Sequence, residues 1–145
     1  MYKHILVPTD GSKLSLKAAR EAAMLAAPLN ARITALYVIA PFTPPMAAEG
    51  IAFRLQRQVR EYEQGMRKHA DIALAKVAKG AGGKCDTASV IHVNPWEAII
   101  SAAKGKKCDL IVMASHGRRG ISALLLGSET QKVLTHSKTP VLVCR

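Results

Sequence analysis

Short apolar blocks alternate along this chain with longer stretches in which apolar residues return every third or fourth position. The first block, His4-Ile-Leu-Val-Pro-Thr9, runs into the turn-forming Asp10-Gly11-Ser12 and reads as a buried strand ending in a loop. Ser12 is placed to cap a helix, because Leu16, Ala19, Ala23 and Ala26 follow at helical spacing up to a break at Pro28-Leu29-Asn30. Ala31 to Ile39 is β-branched and apolar, which predicts a second strand. Pro41-Phe-Thr-Pro-Pro45 stops it, since proline has no amide to give a ladder. From Ile51, the residues Leu55, Val59, Tyr62, Met66, Ala70, Ala73 and Val77 step by four and three, which predicts one long amphipathic helix ending near Gly80 and Gly82-Gly83. Thr87 to Val93 reads as a third strand, and Asn94-Pro95 is expected to cap and open a helix carrying Trp96, Ile99, Ile100 and Ala103. Lys104 to Lys107 ends that helix. Asp109 to Ala114 then predicts a fully buried strand, Gly127 to Ser137 a last helix, and Pro140 to Cys144 a last strand.

Strands alternating with helices imply right-handed crossovers and a parallel sheet covered on both faces, a doubly wound α/β architecture of five strands. In such sheets ligands settle beyond the carboxyl ends of the strands, where connections diverge to opposite faces. The loops to inspect are therefore Thr9 to Ser12, Val38 to Pro41, His92 to Pro95 and Ala114 to Ser128. A length of 145 residues fits one core, so residues 1–145 are expected to be a single domain.

Composition narrows the compartment and the partners. The opening apolar run is too short for a signal-peptide core, and the longest uncharged stretch, Ile33 to Ala48, is broken by Pro41, Pro44 and Pro45. No membrane association is expected, and a cytoplasmic protein is. Cys85, Cys108 and Cys144 are odd in number and widely spaced, without zinc-ligand spacing, so buried reduced thiols are expected and no metal site. The net charge of +11 is concentrated partly on the long helix, through Arg54, Arg57, Arg60, Arg67, Lys68, Lys76 and Lys79. Aromatic residues are not interleaved with these cations and no nucleic-acid-binding signature appears, so a solvated basic face is favoured over specific nucleic-acid recognition.

The candidate chemistry lies after the fourth strand. Met113-Ala-Ser-His-Gly117-Arg-Arg-Gly120 is followed by Leu124-Leu-Leu-Gly127-Ser128-Glu129, placing glycines behind a buried strand and a second Gly-Ser at a helix start. Unpaired amides of a helix N-terminus and the close approach that glycine permits make an anion cradle. Neither a Walker loop nor a dinucleotide glycine fingerprint is present. On spacing alone a phosphate cradle and a plain glycine turn with a serine cap stand about equal. His116 is favoured as a phosphate donor or a loop-packing residue over an acid–base role, and Ser115 is in no nucleophile elbow, so no catalytic residue is assigned.

Val7-Pro8-Thr9-Asp10-Gly11-Ser12, the Met113 to Gly117 segment with Gly127-Ser128, and the closing Thr139-Pro-Val-Leu-Val together resemble the universal stress protein family over the whole chain. The ATP-binding branch of that family carries G-x2-G-x9-G-[ST] after strand four. This chain matches it at Gly117, Gly127 and Ser128 and departs at the first position, where Ala114 stands. The resemblance implies the adenine nucleotide alpha hydrolase-like fold with strand order 3-2-1-4-5. It implies ATP as ligand, with Mg²⁺ carried by the triphosphate, in a regulatory stress-response protein with at most slow hydrolysis. It further implies that Asp10 accepts a ribose hydroxyl, the alternative being that it stabilises the turn through its own downstream amides, that Val38 contacts adenine through its backbone, and that Pro8 and Thr9 line the base. Met113, Ala114 and His116 border the site by the same resemblance, while Gly117, Gly127, Ser128 and the Glu129 amide hold the phosphates. Arg118 and Arg119 would clamp the triphosphate or simply solvate the loop. Gly127→Val would then abolish ATP binding and leave the fold intact. Relatives of this kind pair through the last strand, so a homodimer through the C-terminal strand is expected. The alternative is a nucleotide-free interaction protein, or one associated with nucleic acid, that works through the basic surface.

Overall fold

The computed structural model describes residues 1–44, 52–82, 85–117 and 126–145. The elements in chain order are β1 (His4–Pro8), α1 (Lys13–Leu29), β2 (Arg32–Ile39), α2 (Ala52–Gly80), β3 (Cys85–Ile91), α3 (Pro95–Gly105), β4 (Leu110–Ala114), α4 (Ser128–His136) and β5 (Val141–Cys144). All strand pairs are parallel, in the order β3-β2-β1-β4-β5.

The alternation of side chains along each strand sorts the core into two layers. Ile5 and Val7 of β1, Ala35 and Tyr37 of β2 and Val112 of β4 face α1 and α2. Leu6, Leu36, Ile111 and Met113 face α3 and α4, against Ile99, Ala103 and Val133. α1 meets the sheet through Ala18, Ala19, Ala22 and Ala26, small side chains that bring the helix close. Its start follows the sequence: Ser12 Oγ accepts from the Ser15 amide at 3.1 Å. Its end does not, because Pro28 lies inside the last turn and the helix runs on to Leu29. A proline there removes only the bond to the carbonyl of residue 24, and Met24 is exposed, so water can take that carbonyl. Asn30 closes the helix in the left-handed conformation at φ 49°, with the Ala31 amide bonded back to the Ala26 carbonyl at 3.0 Å.

β3 runs over Cys85–Ile91, two residues earlier than the expected Thr87 to Val93. Its partner sets the limit: Cys85 pairs with Ile33 and Ile91 with Ile39, after which β2 has ended and Val93 stands exposed. A shift of two preserves which side chains face inward. In α2 the expected apolar stripe is present, and its closing residues Ala70, Ala73 and Val77 are fully buried with Leu74 beside them. All seven cations named above are exposed, and among the described residues one ion pair involves them, Arg57 Nε to Glu61 Oε1 at 2.8 Å. Of the cysteines, Cys108 is buried while Cys85 and Cys144 are half-buried, contrary to the expectation that all three would be buried. All are free thiols, and burial pushes each thiol up from its ordinary range. No helix among the described residues is long and apolar enough to cross a membrane.

Candidate functional site

β1 and β4 lie side by side but pair at only two positions, Ile5 with Leu110 and Leu6 with Ile111. Beyond these the chain leaves β1 for α1 on one face and β4 for α4 on the other. That divergence opens a crevice at the carboxyl ends of the central strands, as a doubly wound sheet requires. A cavity of about 230 Å³ occupies it. Pro8, Thr9 and Asp10 form one wall, Met113, Ala114, His116 and Gly117 another, and Leu36 with Val38 the side toward β2. Pro95 and Ile99 of α3 and Glu129 and Thr130 of α4 close it, and Ser15 of α1 reaches it. Most of this surface is apolar, with its polar groups on the loops after β1 and β4 and on the first turns of α1 and α4.

Local bonding fixes the walls. Thr9 is buried: its amide donates to the Leu36 carbonyl at 2.9 Å, and its hydroxyl accepts from the Gly11 amide at 3.1 Å and lies 2.9 Å from Ser15 Oγ. Asp10 Oδ1 accepts from the Ser12 amide at 3.0 Å, an Asx turn that holds the carboxylate at the end of β1. Gly117 is where the two central loops touch, because a Cβ built there would fall 2.6 Å from Asp10 Oδ2. α4 is fastened to the end of β4 twice: the Gly127 amide donates to the Ser115 carbonyl at 2.7 Å and the Thr130 hydroxyl to the Ala114 carbonyl at 3.0 Å.

Nine of the residues singled out in the sequence line this cavity: Pro8, Thr9, Asp10, Val38, Met113, Ala114, His116, Gly117 and Glu129. Gly127 stands at the N-cap of α4 with its amide already engaged by Ser115, and Ser128 begins the helix, exposed. Neither is a wall of the cavity. Arg118 and Arg119 lie outside the described residues. His92 is not among the residues that line the cavity, and its Nδ1 accepts from the Asn94 amide at 3.0 Å. Sequence reasoning missed Leu36, Ser15, Ile99 and Thr130, and reached Pro95 only as the end of the loop after β3. Leu36 shares a face with Val38 at strand spacing and Ile99 shares a face with Pro95 at helical spacing, so periodicity carried a signal for both. Nothing local marks Ser15 or Thr130.

The helix α3 departs from its expected cap. Asn94 sits at the N-cap position, but its side chain donates to Glu97 Oε1 at 3.1 Å and makes no capping bond. The Trp96 amide is capped from α4 instead, donating to Glu129 Oε2 at 2.9 Å. Among the described residues no group of three or more His, Cys, Asp and Glu gathers that could hold a metal ion.

Comparison with known proteins points to one family. The model described as "Universal stress protein family" matches residues 1–145. The chain is 36% identical over 147 residues to universal stress protein MJ0531 of Methanocaldococcus jannaschii, covering all of this chain and 83% of that protein. Among solved structures it resembles MJ0577 of the same archaeon with a TM-score of 0.80 at 27% identity, covering 99% of this chain and 96% of the other. It also resembles a universal stress protein solved in complex with cAMP, with a TM-score of 0.68 at 26% identity, covering 99% of this chain and 97% of the other.

Proposed function

The chain belongs to the universal stress protein family, and on that premise we propose that it binds an adenine nucleotide, ATP in the cell, in the cavity between the carboxyl ends of β1 and β4, and acts as a regulatory protein of the stress response. The observation that carries this reading is the meeting of Asp10 and Gly117 across the crevice, with apolar walls on either side. Leu36, Val38, Met113 and Ile99 suit a flat apolar base, and Pro8 borders them. Asp10, a carboxylate at a strand end, suits a sugar hydroxyl. Phosphates would meet the first turn of α4, where the amides of Ser128, Glu129 and Thr130 precede any intrahelical carbonyl and the helix dipole is positive. Because Gly127 gives its amide to Ser115, its part is to bring the loop against α4, and the donors are the residues after it. Mg²⁺ would arrive with the triphosphate and supply charge neutralisation. That a relative of similar fold was solved with cAMP supports an adenine ligand.

The test is mass spectrometry of small molecules released from freshly purified protein, followed by calorimetric titration with Mg-ATP. About one adenine nucleotide per chain, or saturable ATP binding near that ratio, supports the reading. Protein that carries none and takes up none turns attention to the exposed cations of α2.

A further inference from the structure

The cavity wall carries two carboxylates, Asp10 and Glu129, and no lysine or arginine among the described residues that line it. The nucleotide reading uses Asp10 but leaves the Glu129 side chain without a role. That side chain is held from two directions. The Trp96 amide donates to Oε2 at 2.9 Å, and Lys132 Nζ donates to Oε1 at 3.2 Å. Trp96 is the second residue of α3 and Glu129 the second of α4, so one carboxylate stands at the positive ends of two helices. The first turns of both helices wall the cavity. The chain has therefore placed its own anion where converging amides and dipoles would attract the anionic part of a ligand. Lys132 offsets that charge only partly, since its side chain is 48% exposed and screened by water.

We propose that Glu129 is a specificity-determining residue of this site, a resident anion that penalises a ligand in proportion to the negative charge it brings. The site then prefers adenine ligands of low charge, or phosphates neutralised by an accompanying cation. This rests on the nucleotide reading above.

The experiment compares wild type with Glu129→Gln, which keeps the acceptor for the Trp96 amide and the shape of the wall while removing the charge. Adenosine, AMP and ATP are titrated calorimetrically at low salt without divalent cation, and ATP again with Mg²⁺. Coulomb attraction or repulsion across a partly screened few ångströms predicts that Glu129→Gln strengthens metal-free ATP binding roughly three- to tenfold. AMP gains less, adenosine stays within about twofold, and the gain shrinks with Mg²⁺ or added salt. Lys132→Gln, a change at an exposed position, shifts ATP in the opposite direction. An equal shift for all three ligands, or none for ATP, in folded Glu129→Gln protein overturns the proposal and leaves Glu129 as a tether between helices. Should Glu129→Gln not fold, an unshifted ATP affinity in Lys132→Gln overturns it. Wild type that binds none of the three ligands defeats the nucleotide reading itself, a result distinct from binding that is indifferent to charge.

Discussion

At position 117 a hydrogen atom stands where any other residue would place a carbon, and the neighbour it spares is the Asp10 carboxylate. Gly117→Ala would push that carboxylate off its turn. Since the atom in the way, Asp10 Oδ2, lies at the far end of a side chain and not in the backbone, the fold should tolerate the change at a cost of about 1 kcal/mol or less. Adenine-nucleotide affinity is expected to fall about tenfold, read by calorimetry with circular dichroism confirming the fold. Gly127 behaves differently. A Cβ there would meet His116 Cα at 3.2 Å and the Ser115 carbonyl oxygen at 3.3 Å, so the added bulk of Gly127→Val presses on backbone before it reaches any ligand space. The expected intact fold gives way to a loss of roughly 1–3 kcal/mol, typical of overpacking, visible as a lowered thermal midpoint together with lost binding. At this scale the glycine spacing was readable in the sequence, because it repeats a short motif. The approach of Gly117 to Asp10 was not, because only the sheet brings those positions together. Nor was the bond from the Trp96 amide to the Glu129 carboxylate, which needs the mutual placement of two helices.

Among the elements, the outermost strand carries a direct prediction. The carbonyls of Pro140 and Cys144 accept from the Ile111 and Ser115 amides, so by strand alternation the Val141 amide points to the open edge. Leu142 is 43% exposed beside it. We propose that a second copy pairs along β5, covering an edge that would otherwise be left unpaired. Val141→Pro removes a donor from that edge without touching the β4 ladder, and is expected to turn a dimer into a monomer in light scattering at micromolar concentration. A wild-type monomer, or a dimer indifferent to the proline, defeats the pairing. Element types and most boundaries were legible because apolar periodicity is strong in α1, α2 and α3 and the central strands are uninterrupted. The misjudged ends have individual causes: Pro28 is tolerated by an exposed last turn, and β3 stops where β2 ends and offers it no further partner.

For the whole molecule, pH sensitivity concentrates opposite the cavity, at the amino ends of the strands. His4 is buried there, with Nε2 2.8 Å from Thr34 Oγ1 and Nδ1 3.0 Å from the Lys106 carbonyl. Burial, reinforced by the Arg32 guanidinium, holds its imidazole below the ordinary value of 6.5. The unfolded chain therefore takes up a proton at a higher pH than the folded one does. Stability is accordingly fully present above about pH 6.5 and is lost as pH falls toward the folded value. Denaturation midpoints measured from pH 7.5 down to 5 should decline in wild type, and His4→Gln should flatten that decline while lowering stability throughout. The basic surface acts at the same scale. Its cations are spread over exposed positions of α2, so nucleic acid should bind only non-specifically, with dissociation constants of roughly 10⁻⁴ to 10⁻⁶ M at physiological salt. Filter binding that returned nanomolar, sequence-dependent affinity would reverse that ranking. The doubly wound order needed the resemblance as well as the pattern, since hydrophobic rhythm names strands but not their neighbours. Finally, the junction of α3 with α4 has an optical consequence. Trp96 is the chain's one tryptophan, its ring lies against His136 with centroids 4.8 Å apart, and its amide is bonded to a residue of the cavity wall. Tryptophan emission, excited selectively over tyrosine, thus reports on a single place in the unlabelled protein, and a change in its intensity or wavelength on adding a ligand would time the filling of the crevice in a stopped-flow experiment.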